Sequence, residues 1–245
     1  MKLTDHAGGR PGAKATRAAG YDGSVRYLAN SPERGLPNKI LLPEEAAEYK
    51  AEGLQLVSNW QKGKNDTADW KRGYNGGVQD AKDALAWHFH CGGPGYCPIY
   101  FSIDEDLSGS QGLAKWNNLA APYLKGCAEV LGKEWVGVYG GLSTMYYAEE
   151  DDLVGNNGLG KKWLWQTKAW SMVNGVRTWH PLTVLRQELV VPPDSVAVAG
   201  IPVDVNITYS DDFGQWSLDR SPKKSNPRVD ELMGFALEQM MGPKT

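Results

Sequence analysis

The stretch PIYFSIDEDL, residues 98–107, is an apolar run that ends in three consecutive acids. Side chains of a β-strand alternate between its two faces. The apolar residues at 99, 101 and 103 therefore share one face, which suits contact with helices outside a barrel. The opposite face carries Asp104 and Asp106 toward the barrel axis, and Glu105 falls outside. Both inward acids are thus expected at the carboxyl end of a strand, where barrel enzymes place their chemistry.

The rest of the chain alternates between short apolar runs and helix-like stretches, which indicates repeated βα units. Eight runs are predicted as strands, within residues 2–8, 21–28, 54–60, 97–104, 134–141, 162–170, 182–189 and 201–207. Helices are predicted within residues 11–20, 42–53, 67–90, 112–132 and 142–150. Gly76 and Gly77 are expected to loosen the third helix. The pattern predicts an α/β fold, an irregular TIM-like (β/α)8 barrel that is least regular around its last strands.

The character of the chain changes after residue 212. Residues 1–212 are expected to form the barrel, and residues 213–245 a polar linker with a short amphipathic helix at 229–241. This C-terminal helix either packs on the barrel or connects to a partner domain or chain.

Composition and charge exclude several classes of function. The net charge is −3 and no basic block is present, which argues against nucleic acid as a partner. No apolar run is long enough to span a bilayer, so no membrane contact is predicted. The N-terminus MKLTDHAGGRPG has no apolar signal core, so export is expected to need another route.

Cysteine and aromatic usage adds two expectations. Cys91 and Cys97 could pair across the loop between them, or they could remain free thiols together with Cys127. Ten tryptophans and eleven tyrosines against four phenylalanines favour a surface that binds amphipathic ligands such as sugars. His88 and His90 do not face one another on a helix, so no zinc site is predicted, and no cofactor either.

Inward acids are also predicted on the first and eighth strands. Asp5 ends the first strand and Asp204 faces inward on the eighth, and barrel closure makes these strands neighbours. The sequence therefore predicts a ring of four carboxylates, Asp5, Asp104, Asp106 and Asp204. Crowded acids cannot all ionise, so at least one pKa should rise, as glycoside hydrolysis requires of its proton donor. The alternative is that these acids cap strand ends or pair with Arg26 and backbone amides.

Further inward side chains are expected to line a glycan cleft beside the acids. These predicted substrate-binding residues are Tyr100, Tyr139, Trp165, Gln187 and Asn206, together with Arg26.

Four motifs carry a resemblance to a known family. AAGYDGSVRYLA, LLPEEAAEYKAEGLQLVSNWQ, GYNGGVQDAKDA and PIYFSIDEDL, in this order, resemble the glycoside-hydrolase-like domains once catalogued as domain of unknown function 1906. These domains are relatives of the family 25 lysozymes and occur in actinobacteria and their phages. The resemblance covers about residues 1 to 210, and PVDVN is similar to the eighth-strand motif of those lysozymes. It implies an irregular barrel that cleaves the bond between muramic acid and glucosamine in peptidoglycan.

The family 25 motif at the end of the fourth strand is Asp-x-Glu, whose Glu is the usual proton donor. The matching positions here are Asp104 and Asp106, so this chain departs from the pattern by an acid one methylene shorter. The resemblance then implies Asp106 as the proton donor, and Asp104 or Asp204 as the group that stabilises the transition state or orients the acetamido group. Asp5 would hold water or a sugar hydroxyl.

The leading hypothesis is therefore a muramidase-like hydrolase that acts on peptidoglycan at the bacterial cell wall, such as a phage lysin. A lysin without its own signal would be delivered by a phage or released through a holin. Two alternatives remain: a catalytically inactive module that binds cell-wall glycan, and a phage structural component whose C-terminal helix docks a partner.

Overall fold

A computed structural model describes residues 1–30, 36–194 and 196–220, together with Glu231. Its main strands are β1 (Lys2–Asp5), β2 (Gly23–Leu28), β3 (Gln55–Trp60), β4 (Ile99–Ser102), β5 (Val136–Gly140), β6 (Lys162–Thr167), β7 (Thr183–Leu189) and β8 (Asp204–Thr208). Two small hairpins pair Met172–Val173 with Val176–Arg177 and Ala197–Val198 with Ile201–Pro202. The eight main strands close into a barrel in the order β1-β8-β7-β6-β5-β4-β3-β2. The predicted α/β barrel is confirmed, and every strand overlaps the run predicted for it.

The helices pack outside this barrel. They are α1 (Ala13–Ala18), α2 (Pro43–Ala51), α3 (Gly73–His90), α4 (Gly109–Lys115), α5 (Ala121–Leu131) and α6 (Leu142–Glu150). A π-helical turn, Trp116–Ala120, joins α4 to α5. Two 3₁₀ turns, Asn65–Thr67 and Asp69–Arg72, precede α3, and the second occupies the start of the predicted third helix. Another 3₁₀ turn spans Lys133–Trp135. In the described residues, only small hairpins and loops connect the strands from β6 to β8, as the weak helix signals there predicted.

Alternation of side chains builds the two layers as expected. The barrel interior holds buried side chains from successive strands, among them Leu3, Val25, Val57, Tyr100, Trp165 and Leu185, together with Phe213 from the segment after β8. Ile99, Phe101 and Ile103 face the other way and pack with the helices. Burial of these apolar faces on both sides of the sheet is the main force that holds the barrel together.

β8 is the exception to the parallel arrangement. It runs antiparallel to both β1 and β7, whereas the other neighbouring strands of the barrel are parallel. The amino end of β8 therefore shares a rim with the carboxyl ends of the other seven. In this register Asp204, the first residue of β8, lies directly opposite Asp5, the last residue of β1.

Glycines let α3 and α5 approach one another closely. A Cβ atom at Gly77 would lie 2.0 Å from the carbonyl oxygen of Tyr123, and one at Gly126 would lie 2.1 Å from that of Tyr74. Such distances leave no room for any side chain. α3 is continuous through Gly76 and Gly77, so these glycines permit close helix contact and do not loosen the helix.

Residues 213–220 pack against the end of the barrel opposite the mouth. Phe213 is buried in the barrel interior, and its carbonyl oxygen accepts a hydrogen bond of 2.9 Å from the Tyr100 hydroxyl. Trp216 donates from Nε1 to Ser58 Oγ at 2.9 Å, and Arg220 forms an ion pair with Asp212. Residues 213–220 thus contact the barrel, although they lie beyond the boundary predicted at residue 212. The helix predicted at 229–241 lies outside the described residues.

All three cysteines are buried and free, so Cys91 and Cys97 do not pair. The thiol of Cys91 donates to the Leu41 carbonyl and that of Cys97 to the Gly214 carbonyl. Burial raises the pKa of each of these two thiols to about 12. Within the part of the chain that the structure describes, no helix has both the length and the apolarity needed to cross a membrane.

Candidate active site

A cavity of about 370 Å³ opens at the mouth of the barrel. The side chains that reach it come from the rim formed by the carboxyl ends of the parallel strands and the amino end of β8. The polar and aromatic residues of its lining are Asp5, His6, Tyr27, Lys39, Asn59, Gln61, Lys64, Ser102, Asp104, Tyr139, Trp165, Thr167, Trp170, Gln187 and Asp204. Three of the four predicted carboxylates therefore meet in this cavity.

Asp5 and Asp204 form a carboxyl pair bridged by one amide. Gln187 Nε2 donates to Asp5 Oδ2 and to Asp204 Oδ2, each at 3.0 Å. The backbone N–H of Val191 donates to the other oxygen of Asp204 at 2.7 Å. Because a single nitrogen serves both acids, the two carboxyl groups are held at a fixed and short separation.

Other side chains fix the orientation of this pair. Asn206 Nδ2 donates to Asp5 Oδ2 at 2.7 Å, and its own oxygen accepts from Trp165 Nε1 at 2.7 Å. The Tyr139 hydroxyl donates to Gln187 Oε1 at 2.8 Å, which orients the bridging amide. Asp5 receives a further bond of 3.3 Å from the Tyr27 hydroxyl. Asp5 is thus bound by three side-chain donors.

Burial governs the charge of the pair. It raises the pKa of Asp5, which is 1% exposed, and it raises the pKa of Asp204 to about 8, where the nearby Asp5 adds to the effect. Burial also raises the pKa of Tyr27 and of Tyr139 well above the usual range, so both hydroxyls stay protonated and donate. One carboxyl of the pair therefore keeps its proton at neutral pH.

Asp104 lies on the opposite side of the barrel from β8, immediately after β4 and Ile103. Its Oδ2 accepts from Gln61 Nε2 at 3.1 Å and contacts the Lys64 ammonium at 3.0 Å. The side chain is 14% exposed, which leaves it open to the cavity. Asp104 therefore has a cationic partner, whereas the Asp5–Asp204 pair across the cavity is bridged by a neutral amide.

Asp106 does not reach the cavity, and the prediction that it points inward is wrong. β4 ends at Ser102, and the N–H of Glu105 bonds back to the Ile103 carbonyl at 3.0 Å, which turns the chain after Asp104. Asp106 is exposed and accepts the backbone N–H of Ser108 at 2.9 Å. Glu105 faces away from the cavity, as predicted, and forms ion pairs with Lys71 and Lys115.

Three predicted substrate-binding residues also lie elsewhere. Arg26 is on the outer face of β2, where it forms an ion pair with Glu45 of α2. Burial opposes ionisation of Glu45, but this guanidinium holds its pKa at about 2. Tyr100 lies deep in the barrel interior, bonded to Phe213, and Asn206 is fully buried behind Asp5. Tyr139, Trp165 and Gln187 line the cavity as predicted.

The sequence reasoning missed several residues of the lining. Tyr27 and Asn59 continue the inward faces that Val25 and Val57 begin, so strict alternation along β2 and β3 would have found them. Gln61 and Lys64 follow the end of β3, and no periodic signal places them. In the described ranges, no group of three or more His, Cys, Asp or Glu side chains could hold a metal ion.

Comparison with known proteins yields a family and a relative. The sequence model of the family described as "Rv2525c-like, glycoside hydrolase-like domain" matches residues 14–208. Rv2525c of Mycobacterium tuberculosis, which is described provisionally as a peptidoglycan hydrolase, is 36% identical over 217 residues. The matched region covers 88% of this chain and 83% of the relative.

Solved structures agree with this match. The crystal structure of the Tat-secreted protein Rv2525c in complex with L-tartrate has a TM-score of 0.76 at 34% identity, covering 88% of this chain and 98% of that one. The modular autolysin LytC from Streptococcus pneumoniae, solved with a synthetic peptidoglycan ligand, has a TM-score of 0.54 at 16% identity. That match covers 85% of this chain and 46% of LytC, and it shows a shared fold alone.

Proposed function

The chain belongs to the Rv2525c-like, glycoside hydrolase-like domain family, and from this premise we propose that it hydrolyses the glycan strands of peptidoglycan at its barrel mouth. The observation that carries the proposal is the Asp5–Asp204 pair, in which the pKa of Asp204 is raised to about 8. Glycosidases use such an arrangement, in which one carboxyl group keeps its proton at neutral pH and a second carboxylate lies opposite it.

Asp204 is the proton donor in this proposal. Asp5 receives three side-chain hydrogen bonds, which stabilise a negative charge, so the shared proton resides on Asp204. Asp204 is also the more exposed of the two. It gives its proton to the glycosidic oxygen as the bond from that oxygen to the anomeric carbon breaks, and the sugar that leaves carries a new hydroxyl.

Asp104 assists from the other side of the cavity. Its carboxylate orients the acetamido group of the sugar, whose carbonyl oxygen attacks the anomeric carbon and forms a cyclic oxazolinium ion. Water then opens this ring and gives its proton to the Asp204 carboxylate, which restores the starting state. This route does not need Asp106, which the resemblance to family 25 lysozymes had implied as the donor.

The substrate assignment rests on the relative and on the cavity lining. Rv2525c is described provisionally as a peptidoglycan hydrolase and is Tat-secreted, which supports action at the cell wall. Trp165 and Trp170 lie in the lining, where aromatic rings can pack against sugar faces. Delivery by a phage stays a prediction.

The test compares two matched substitutions on purified peptidoglycan, with release of reducing ends as the measurement. Asp204→Asn keeps the shape of the side chain but cannot donate this proton, so we expect activity to fall by about 10²- to 10⁴-fold. Asp106→Asn, at an exposed acid outside the cavity, should leave activity within about twofold of the unsubstituted chain.

The reverse result would overturn the assignment of Asp204. Loss of activity in Asp106→Asn with full activity in Asp204→Asn would return the donor role to Asp106. A chain that sediments with insoluble wall but releases no reducing ends would instead be a glycan-binding module.

A further inference from the structure

The loop of residues 61–64 carries two of the side chains that bind Asp104. Gln61 and Lys64 both contact Asp104 Oδ2, at 3.1 and 3.0 Å. The Lys64 side chain is 56% exposed, so packing does not hold it in place. A long and mobile side chain loses rotamer freedom when it is fixed. The positions of the Gln61 amide and the Lys64 ammonium relative to Asp104 therefore depend on where the loop backbone lies.

Asp69 fixes that backbone from outside the cavity. Its Oδ2 accepts the N–H groups of Lys62 and Gly63, at 2.7 and 3.1 Å. Hydrogen bonds from backbone amides to a carboxylate are among the stronger ones in proteins. Asp69 itself is buried at the start of a 3₁₀ turn and lies outside the cavity lining.

The loop also contacts the neighbouring 3₁₀ turn closely. Thr67 Oγ1 accepts the N–H of Lys64 at 3.2 Å and donates to its carbonyl at 2.9 Å. A Cβ atom at Gly63 would lie 1.9 Å from the Thr67 carbonyl oxygen. The backbone at residue 63 therefore fits against the turn only because it has no side chain.

Asp69 is anchored to the helix layer. The Arg72 guanidinium contacts Asp69 at 3.4 Å and also binds Asp80 of α3. Asp80 accepts the hydroxyl of Tyr123 of α5 at 2.7 Å. A continuous series of contacts thus runs from the two packed helices through Asp69 to the loop, and from the loop to Asp104.

We infer that Asp69 is a positioning residue, which holds the loop of residues 61–64 so that Gln61 and Lys64 keep Asp104 aimed at the substrate. The inference rests on the proposed role of Asp104 in glycan hydrolysis. Asp69 does not line this cavity, so its effect on the reaction passes through the loop, and we assign that effect to the contacts of Gln61 and Lys64 with Asp104.

A double-mutant cycle tests this path. We expect Asp69→Ala to lower kcat by about 10²-fold, the cost of misplacing a reacting group by roughly 1 Å, and to leave KM nearly unchanged. In the Asp104→Asn background the same substitution should cost less than about threefold, because Asp104 no longer acts. If the fold losses in kcat of the two single substitutions multiply in the double variant, the two residues act independently and the inference is overturned.

Amide hydrogen exchange gives a readout that does not depend on activity. Asp69→Ala should remove the protection of the Lys62 and Gly63 amides against exchange. Asp69→Asn keeps a neutral acceptor, so its protection of these amides should lie between that of Asp69→Ala and that of the unsubstituted chain. Asp66→Ala is the matched control, since Asp66 is an exposed acid of the same segment. If Asp69→Ala does not fold, the test compares Asp69→Asn with the unsubstituted chain. Protection of the Lys62 and Gly63 amides should then be lower in Asp69→Asn, and equal protection would overturn the inference.

The outcomes separate this inference from the proposed function. Retained protection of both amides in Asp69→Ala would overturn the inference whatever the activity. Lost protection together with full activity of Asp104→Asn would overturn the proposed role of Asp104 and leave the loop contact standing.

Discussion

Asp204 shows how its surroundings set the chemistry of a single residue. An aspartate in water has its pKa near 4, and that side chain donates no proton at neutral pH. Here burial and the neighbouring Asp5 raise the pKa of Asp204 to about 8. Gln187 and Val191 hold the carboxyl in place through hydrogen bonds to each of its oxygens. The raised pKa of Asp204, on which its proposed role as proton donor rests, thus depends on the register of β1 and β8, which sets two acids opposite one another.

The pH dependence of catalysis follows from this raised pKa. In the proposal Asp204 must be protonated in the free enzyme, so kcat/KM should fall about tenfold per pH unit well above pH 8. The measurement is kcat/KM on soluble glycan oligomers from pH 5 to 9. Asp106→Asn should give the same profile. A rate that rises steadily up to pH 9 would contradict a proton donor at this position.

The three acids at residues 104–106 mark how far sequence can predict the site. Alternation correctly separated Asp104 from Glu105, because it follows from the pleat of the strand. It failed at Asp106, since the turn formed by Glu105 and Ile103 ends the periodicity before that residue. Each acid has a partner of its own: Lys64, Lys71 and Ser108 contact residues 104, 105 and 106 in turn.

At the scale of elements, the direction of β8 was the feature hidden from the sequence. The PVDVN pattern placed Asp204 and Asn206 on the inner face. However, side chains alternate in the same way in parallel and antiparallel strands, so the pattern does not predict the direction of the strand. The antiparallel direction brings Asp204 to the rim and puts Asn206 one step deeper, where it is fully buried behind Asp5. Asp204 therefore lines the cavity, as the proposed proton donor must, and Asn206 supports Asp5 through a hydrogen bond.

The contact of α3 with α5 gives a prediction about stability. Gly126→Ala places a methyl carbon against the Tyr74 carbonyl, so the helices must separate, and we expect the free energy of unfolding to fall by about 1–3 kcal/mol or more. Urea denaturation followed by circular dichroism measures it. Lys125→Ala, an exposed position on the same helix, should change it by less than about 0.5 kcal/mol. Equal effects of the two substitutions would contradict the close helix contact.

At the scale of the whole molecule, residues 213–220 close the end of the barrel that the active site leaves free. No sequence pattern predicts this, because the segment is polar on average and it is anchored by single residues. Phe213 fills the barrel interior, and Arg220 neutralises the buried Asp212. The barrel core is thus completed from the end opposite the cavity.

Two truncated chains test where the folding unit ends. A chain that stops after residue 212 loses Phe213 from the core and leaves Asp212 without its cation. Each loss costs about 3–5 kcal/mol, which together approach the whole stability of a typical domain. We therefore expect that chain to be unfolded or aggregated, and a chain that stops after residue 220 to unfold in one cooperative transition. Thermal unfolding by calorimetry decides between them. If the chain that ends at residue 212 unfolds in as sharp a transition as the longer one, residues 213–220 are not needed for the barrel to fold.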